Sequence, residues 1–237
     1  MRLPKIQGVI RRRILVNYRV DPQVIQRLLP DKFQPKLHAG CAIAGICLIR
    51  LEQIRPRGWP AFLGVSSENA AHRIAVRWEG DQEGVFIPRR DTNSTLNHLV
   101  GGRLFPGEHN PADFNVSSNE NTVDFKMKSK DGTASVELKA RVTNGWGDQS
   151  RFASLAEASN FFEPGSMGYS VTKEANRLDG VRLATRTWKV EPLEVENAFS
   201  SYFSDPSKFP PGSVSFDCAL LMRNIEHEWH DVPDLYV

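Results

Sequence analysis

No stretch of this chain approaches the roughly 18 consecutive apolar residues that cross a bilayer as a helix. The N-terminal segment has no apolar signal-peptide core, because Lys5 and Arg11 to Arg13 interrupt it. A cytoplasmic location without a membrane partner is the expectation. Cysteine is scarce. Cys41, Cys47 and Cys218 form an odd, sparse set without a CxxC pair, which argues against a disulfide framework and a zinc ribbon. Cys41 and Cys47 share a strand parity but lie far apart along it, so core packing is their expected role. Charge of one sign is missing too. The net charge is +2, and no long like-charged run exists beyond Arg11-Arg12-Arg13. Nucleic-acid binding, which calls for a basic stripe with interleaved aromatics, is not expected.

Motifs for cofactors and metals are also absent. In His227-Glu228-Trp229-His230 the histidines are three apart, whereas a zinc-protease helix needs them four apart on one face. Gly64-Val65-Ser66-Ser67-Glu68 lacks the second glycine of a nucleophile elbow. Gly101-Gly102-Arg103 and Gly107 do not make a phosphate loop. Neither a cofactor nor a metal is expected. No repeat, linker or shift of composition divides the 237 residues, so one domain over 1–237 is the simplest reading.

What the chain does contain is strand periodicity. Residues 8–20 place Ile10, Ile14, Val16 and Tyr18 in one parity. Asp21-Pro22 reads as an N-cap and first helical position, opening a short helix through Val24, Ile25, Leu28 and Leu29. Residues 41–51 are apolar in both parities, as in a strand buried on both faces. Residues 66–79 alternate, with Ala70, Ile74, Val76 and Trp78 on one face and Arg73, Arg77 and Glu79 on the other. Val85-Phe86-Ile87 reads as a short strand and 93–100 as a helix. Asp131-Gly132 separates two alternating segments, 123–128 and 136–142, which is a strong hairpin signal. A second hairpin is expected to turn at Asp179-Gly180, between Tyr169-Val171 and Leu183-Val190. Ser154 to Glu157 matches a capping box for a helix near 155–162. Residues 204–213 read as a loop and 214–225 as a last strand. The fold class implied is α+β and mostly antiparallel β, a many-stranded sheet closed into a barrel with a few short helices.

If 66–78 is one uninterrupted strand, Ser66, Glu68 and His72 point the same way as Ala70 and Ile74. An ionised carboxylate facing an apolar interior needs partners. Arg89, Arg90 and Asp91, with Arg103 and His109, are candidates. Such a set could tune Glu68 or His109 for acid–base work, with Arg89, Arg90 or Arg103 clamping an anion. A bulge that turns Glu68 to solvent, or a structural buried ion pair, is the alternative. Arginine supplies 20 of the 30 basic residues, which suits carboxylate or oxyanion binding but equally fits the bias of a GC-rich genome.

Asn17-Tyr18-Arg19-Val20-Asp21, then Leu28-Leu29-Pro30, resembles the opening of acetoacetate decarboxylase-like proteins, as does Gly102-Arg103 followed by Pro106. Ser66-Ser67-Glu68-Asn69-Ala70, Ile87 to Thr92 and Gly101 to Gly107 look more specifically like the YqjF-like branch of that superfamily, a domain of unknown function. The resemblance covers roughly residues 8–230. It implies a cone-shaped antiparallel β-barrel with a ligand cavity, often assembled as homo-oligomers. Ser66, Asn69, His72, Asp91 and Asn97 join the arginines as candidate ligand-binding residues. The resemblance does not carry over the activity. A Schiff-base lysine follows the glycine-arginine step in acetoacetate decarboxylase, whereas this chain reads Phe105-Pro106-Gly107-Glu108-His109-Asn110 there, with no lysine between Lys36 and Lys126. The expectation is a small-molecule-binding barrel with a carboxylate or oxyanion ligand. The alternatives are a lyase, hydratase or isomerase without Schiff-base chemistry, and a structural or protein-interaction module.

Overall fold

The computed structural model describes residues 5–95 and 107–237. In chain order its elements begin with β1 (Ile6–Val20), helix α1 (Pro22–Leu28), β2 (Gln34–Pro35), β3 (Leu37–His38), β4 (Cys41–Pro56), β5 (Val65–Trp78) and β6 (Gln82–Thr92). They continue with β7 (Asn110–Ser118), β8 (Thr122–Ser129), β9 (Ser135–Val142), helix α2 (Leu155–Phe162), β10 (Met167–Val171), β11 (Arg177–Thr185), β12 (Glu191–Ser200) and β13 (Val214–Tyr236). All 13 strands among the described residues join one sheet. Pairing is antiparallel except where β6 meets β10 and β7.

The pairing closes on itself twice. A smaller ring runs β13-β1-β4-β5-β6-β10-β11 and returns to β13. A larger ring runs β13-β1-β4-β5-β6-β7-β8-β9-β12 and also returns to β13. Strands β13, β1, β4, β5 and β6 form a wall common to both. Successive side chains alternate across a strand, so one parity of the wall faces each ring. This is why 41–51 is apolar in both parities. Ile14, Val16, Ile46, Leu48, Ala70 and Ile74 pack into the larger ring with Phe125 and Leu138. Leu15, Cys47, Ala71, Ala75 and Leu220 pack on the other side with Phe152 and Phe162.

Local signals set several elements. The Asp21 carboxylate accepts from the Gln23 amide at 2.7 Å and starts α1 with Pro22 in its first turn. Ser154 Oγ accepts from the Glu157 amide at 3.1 Å and the Ala153 amide donates to the Glu157 carboxylate, so a close variant of the capping box, shifted by one residue, starts α2. The β8–β9 hairpin has Gly132 at φ +74, with Lys126 opposite Glu137 and Asp124 opposite Lys139.

Two expectations are corrected. Asp179 and Gly180 lie inside β11, paired with Ser170 and Tyr169 of β10, and the turn falls at 172–176. Gly180 serves close packing there, since a Cβ would sit 2.5 Å from Val232 Cγ2. Ile10 does not pack with Ile14 and Val16. The β1–β4 register shifts between Ile10 and Arg12, and Ile10 packs with Leu51, Met222 and Ile225. Strand β12 had no sequence signal, because its mostly solvated residues hide the alternation. The helix expected over 93–100 falls largely outside the described residues.

Phe33 closes the larger ring where α1 hands over to β2. It is fully buried, with ring centroids of Trp78, Phe86 and Tyr169 at 5.6, 5.8 and 6.0 Å. Phe33→Ala is expected to cost about 3–5 kcal/mol in urea unfolding; a loss under about 1 kcal/mol would mean the ring end repacks.

Candidate functional site

On the smaller-ring side of the wall, a cavity that Ser166 and His109 also line draws together four polar side chains of the wall strands. They are Arg13 of β1, Asn69 and Arg73 of β5, and Arg90 of β6. The cavity holds about 120 Å³ and is otherwise walled largely by apolar side chains, including Ile87, Leu183 and Trp229. Arg73 is 4% exposed. It donates from Nη2 to Asn17 Oδ1, and its guanidinium lies 5.0 Å from the Phe162 ring centroid. Gly45 pairs with Asn17 on one side and Arg73 on the other, and the missing side chain leaves the path between them open. Arg90 donates from Nε to Ser170 Oγ at 3.0 Å. Arg13 donates from Nε to Cys47 Sγ at 3.3 Å and stands 5.9 Å from the Trp188 ring.

None of these arginines has a carboxylate within ion-pair distance among the described residues. Burial pushes the Arg73 and Arg90 guanidiniums down to about 10. For Arg73 the neighbouring Arg13 charge acts in the same direction. The Asp179 charge acts on Arg90 from beyond ion-pair distance; a cavity lined by cations without a close counter-ion favours an anionic occupant.

The opposite face of the same strands is internally paired. Arg12 Nη2 lies 2.6 Å from Glu68 Oε2 and Nη1 donates to Ser118 Oγ at 3.1 Å. Burial raises the Glu68 carboxyl pKa against the pull of Arg12. This pair borders a wide groove that also holds Arg50, Glu52 and Arg223. His72 is fully buried, with Nε2 3.0 Å from Ser200 Oγ and its ring 4.8 Å from that of Tyr202. Arg89 makes several hydrogen bonds to the buried Asp91 carboxylate at 2.8–3.0 Å, and reaches Thr133 Oγ1 at 2.7 Å. Burial raises the Asp91 carboxyl pKa, opposed by Arg89.

The structure therefore separates the residues singled out in the sequence. Asn69, Arg90 and His109 line the arginine cavity, and Asp91 borders it while its carboxylate pairs with Arg89 toward the larger ring. Glu68, His72 and Arg89 face the larger ring, and Ser66 is exposed near the start of β5. Asn97 and Arg103 lie outside the described residues. Of Arg89 and Arg90, which the sequence leaves open, Arg90 faces the cavity. Arg13 and Arg73 were missed. The available signal was weak: each is an arginine in a strand whose same-parity neighbours, Leu15 and Ala71, are apolar. Gly107, where the decarboxylase pattern nears its lysine, has φ +84, and a Cβ there would stand 2.4 Å from Ser170 Cβ. Its amide donates to Asp179 Oδ2 at 2.8 Å.

The model of DUF2071, "Uncharacterized conserved protein (COG2071)", matches residues 9–214. The chain belongs to this family. No curated protein matches it in sequence. Among solved structures, the acetoacetate decarboxylase of Legionella pneumophila aligns at TM-score 0.60 and 13% identity, over 99% of this chain and 88% of that one. An acetoacetate decarboxylase-like enzyme of Sphingomonas wittichii aligns at TM-score 0.62 and 13% identity, over 100% and 94%. The enduracididine biosynthesis enzyme MppR, complexed with pyruvate, aligns at TM-score 0.61 and 12% identity, over 100% and 91%. These likenesses establish the acetoacetate decarboxylase-like fold that the sequence motifs implied. Among the described residues, no helix is long and apolar enough to cross a membrane.

No lysine lines the arginine cavity among its described residues. Lys36 borders a neighbouring recess together with Arg13 and Arg73. Its Nζ lies 2.6 Å from Glu83 Oε2, donates to the Phe161 carbonyl at 3.1 Å, and sits 4.2 Å from the Phe161 ring centroid.

Burial, with Arg89 adding to it, lowers the His72 pKa from 6.5 to about 3. A folded pKa below the unfolded one gives stability that is present above pH 6.5 and drains away as pH falls toward 3. One proton corresponds to about 1.4 kcal/mol per pH unit. Urea melts of His72→Gln across that window should show a shallower acid slope than the parent protein. Parallel slopes would mean that His72 titrates alike in the folded and unfolded states.

Proposed function

We propose that the smaller-ring cavity binds a small organic molecule carrying a carboxylate or another oxyanion. The observation that carries this reading is the convergence of Arg13, Arg73 and Arg90 on one cavity without an ion-pair partner among the described residues. Holding guanidiniums out of water without counter-charges costs several kcal/mol, and an anion would offset part of it. The planar fork of arginine also fixes a carboxylate in orientation. The apolar remainder of the wall suits a short hydrocarbon portion. The fold relative MppR, solved with pyruvate, makes a 2-oxo acid the first probe to try.

A second reading, an enzyme without Schiff-base chemistry, draws support from one observation. His109 lines the same cavity as Arg90, so an imidazole stands where it could move a proton on a bound anion. Glu68, the other acid–base candidate, lies across the wall, and on this reading it has a structural role with Arg12.

Pyruvate titrated against tryptophan fluorescence should report binding, because Trp229 lines the cavity. Arg90→Gln should weaken it about 10- to 100-fold, the worth of a charged hydrogen bond. Equal affinity in parent and variant would refute the site. Borohydride added with pyruvate should leave the intact mass unchanged, since Lys36 is ion-paired to Glu83. A reduced adduct would restore amine chemistry.

A further inference from the structure

Cys47 packs in the core as the sequence leads one to expect, and it also borders the arginine cavity. Its side chain faces the smaller ring and lines the arginine cavity, with Sγ accepting from Arg13 Nε at 3.3 Å. Register places it in line with Arg90: Cys47 pairs with Ala71, and Ala71 pairs with Arg90. Two strand spacings put those backbones roughly 10 Å apart, with only a methyl group between the two side chains on that face. Arg73 supplies an independent sign of a missing partner. It is 4% exposed, it lines the cavity, and its buried Nε has no hydrogen-bond partner.

We propose that Cys47 is the nucleophile of this cavity and adds reversibly to the keto carbon of a 2-oxo acid whose carboxylate the arginines hold. The inference rests on the anion-binding reading above and adds a reacting atom to it. In the addition the S–H bond breaks and a C–S bond forms. The carbonyl π pair moves to oxygen, and that oxygen takes the thiol proton. The product is a hemithioketal with the same net charge as its reactants, so no further reactant is needed. Guanidiniums stabilise the oxyanion that develops on the keto oxygen. The other two cysteines lack this setting. Cys41 is half-buried and outside the cavity. Cys218 is buried against Asn17 and is not among the cavity-lining residues.

The native protein, treated separately with iodoacetate and iodoacetamide and analysed by peptide mass, tests this. The anionic reagent should modify Cys47 faster than the neutral one by about tenfold or more, because a cavity of one sign concentrates counter-ions. Cys41 should show no such preference. Pyruvate should slow the reaction at Cys47, and Arg90→Gln should abolish the preference. A Cys47 that stays unmodified, or shows no more iodoacetate preference than Cys41, overturns the proposal. If pyruvate still binds by fluorescence in that case, the anion site stands and only the thiol role falls; if it does not, both fall. Pyruvate carrying carbon-13 at the keto position gives a second readout. The parent protein should show a protein-bound tetrahedral-carbon resonance, distinct from that of free pyruvate hydrate, that Cys47→Ser lacks. The same resonance in Cys47→Ser would assign the addition to another group and overturn the proposal.

Discussion

The structure depends on a wall of five strands that is buried on both sides. Strands β13, β1, β4, β5 and β6 belong to two closed rings at once, so most of the wall has no solvent face on which to park a polar side chain. An ordinary two-faced sheet sends alternate residues into water. Here a polar residue of either parity must find a partner inside, or leave a site that something else fills.

The two faces meet this constraint differently. Toward the larger ring, charge is matched by charge: Arg12 with Glu68, and Arg89 with Asp91 and Asp131. His72 is held by Ser200. Such pairs are costly to break and contribute little net stability over apolar packing, so their effect is to hold β1, β5, β6 and the β8–β9 turn in register. Toward the smaller ring, Arg13, Arg73 and Arg90 meet only neutral partners: a thiol, an amide oxygen and a hydroxyl. Charge is left without a close partner on one face and neutralised on the other, and on this asymmetry rests the proposal that the first face is the site and the second the scaffold.

Much of the fold was legible because short-range rules applied. The β8–β9 hairpin follows from Asp131-Gly132 between two alternating runs, and both helices follow from their caps. The misread turn shows where such rules fail. Asp-Gly at 179–180 has the composition of a turn, yet the glycine is there because β13 and Tyr169 leave no room for a Cβ. Ile10 failed for a related reason: a register shift breaks the parity count that any pattern reading assumes.

The amino-acid sequence by itself determined that strands dominate, where most of them run, that the parity of 66–78 puts Glu68 and His72 on the face of Ala70 and Ile74, and that no lysine stands at the decarboxylase position. Alternation along a strand is a local property, and sequence carries it. Only the tertiary structure decided which of the two faces holds the cavity. Ring closure brings β10, β11 and β13 against β6 and β1, and that closure is a matter of long-range pairing. It placed Arg90 rather than Arg89 at the site, added Arg13 and Arg73, and set Cys47 beside them, because residues distant in sequence meet only when both rings are shut.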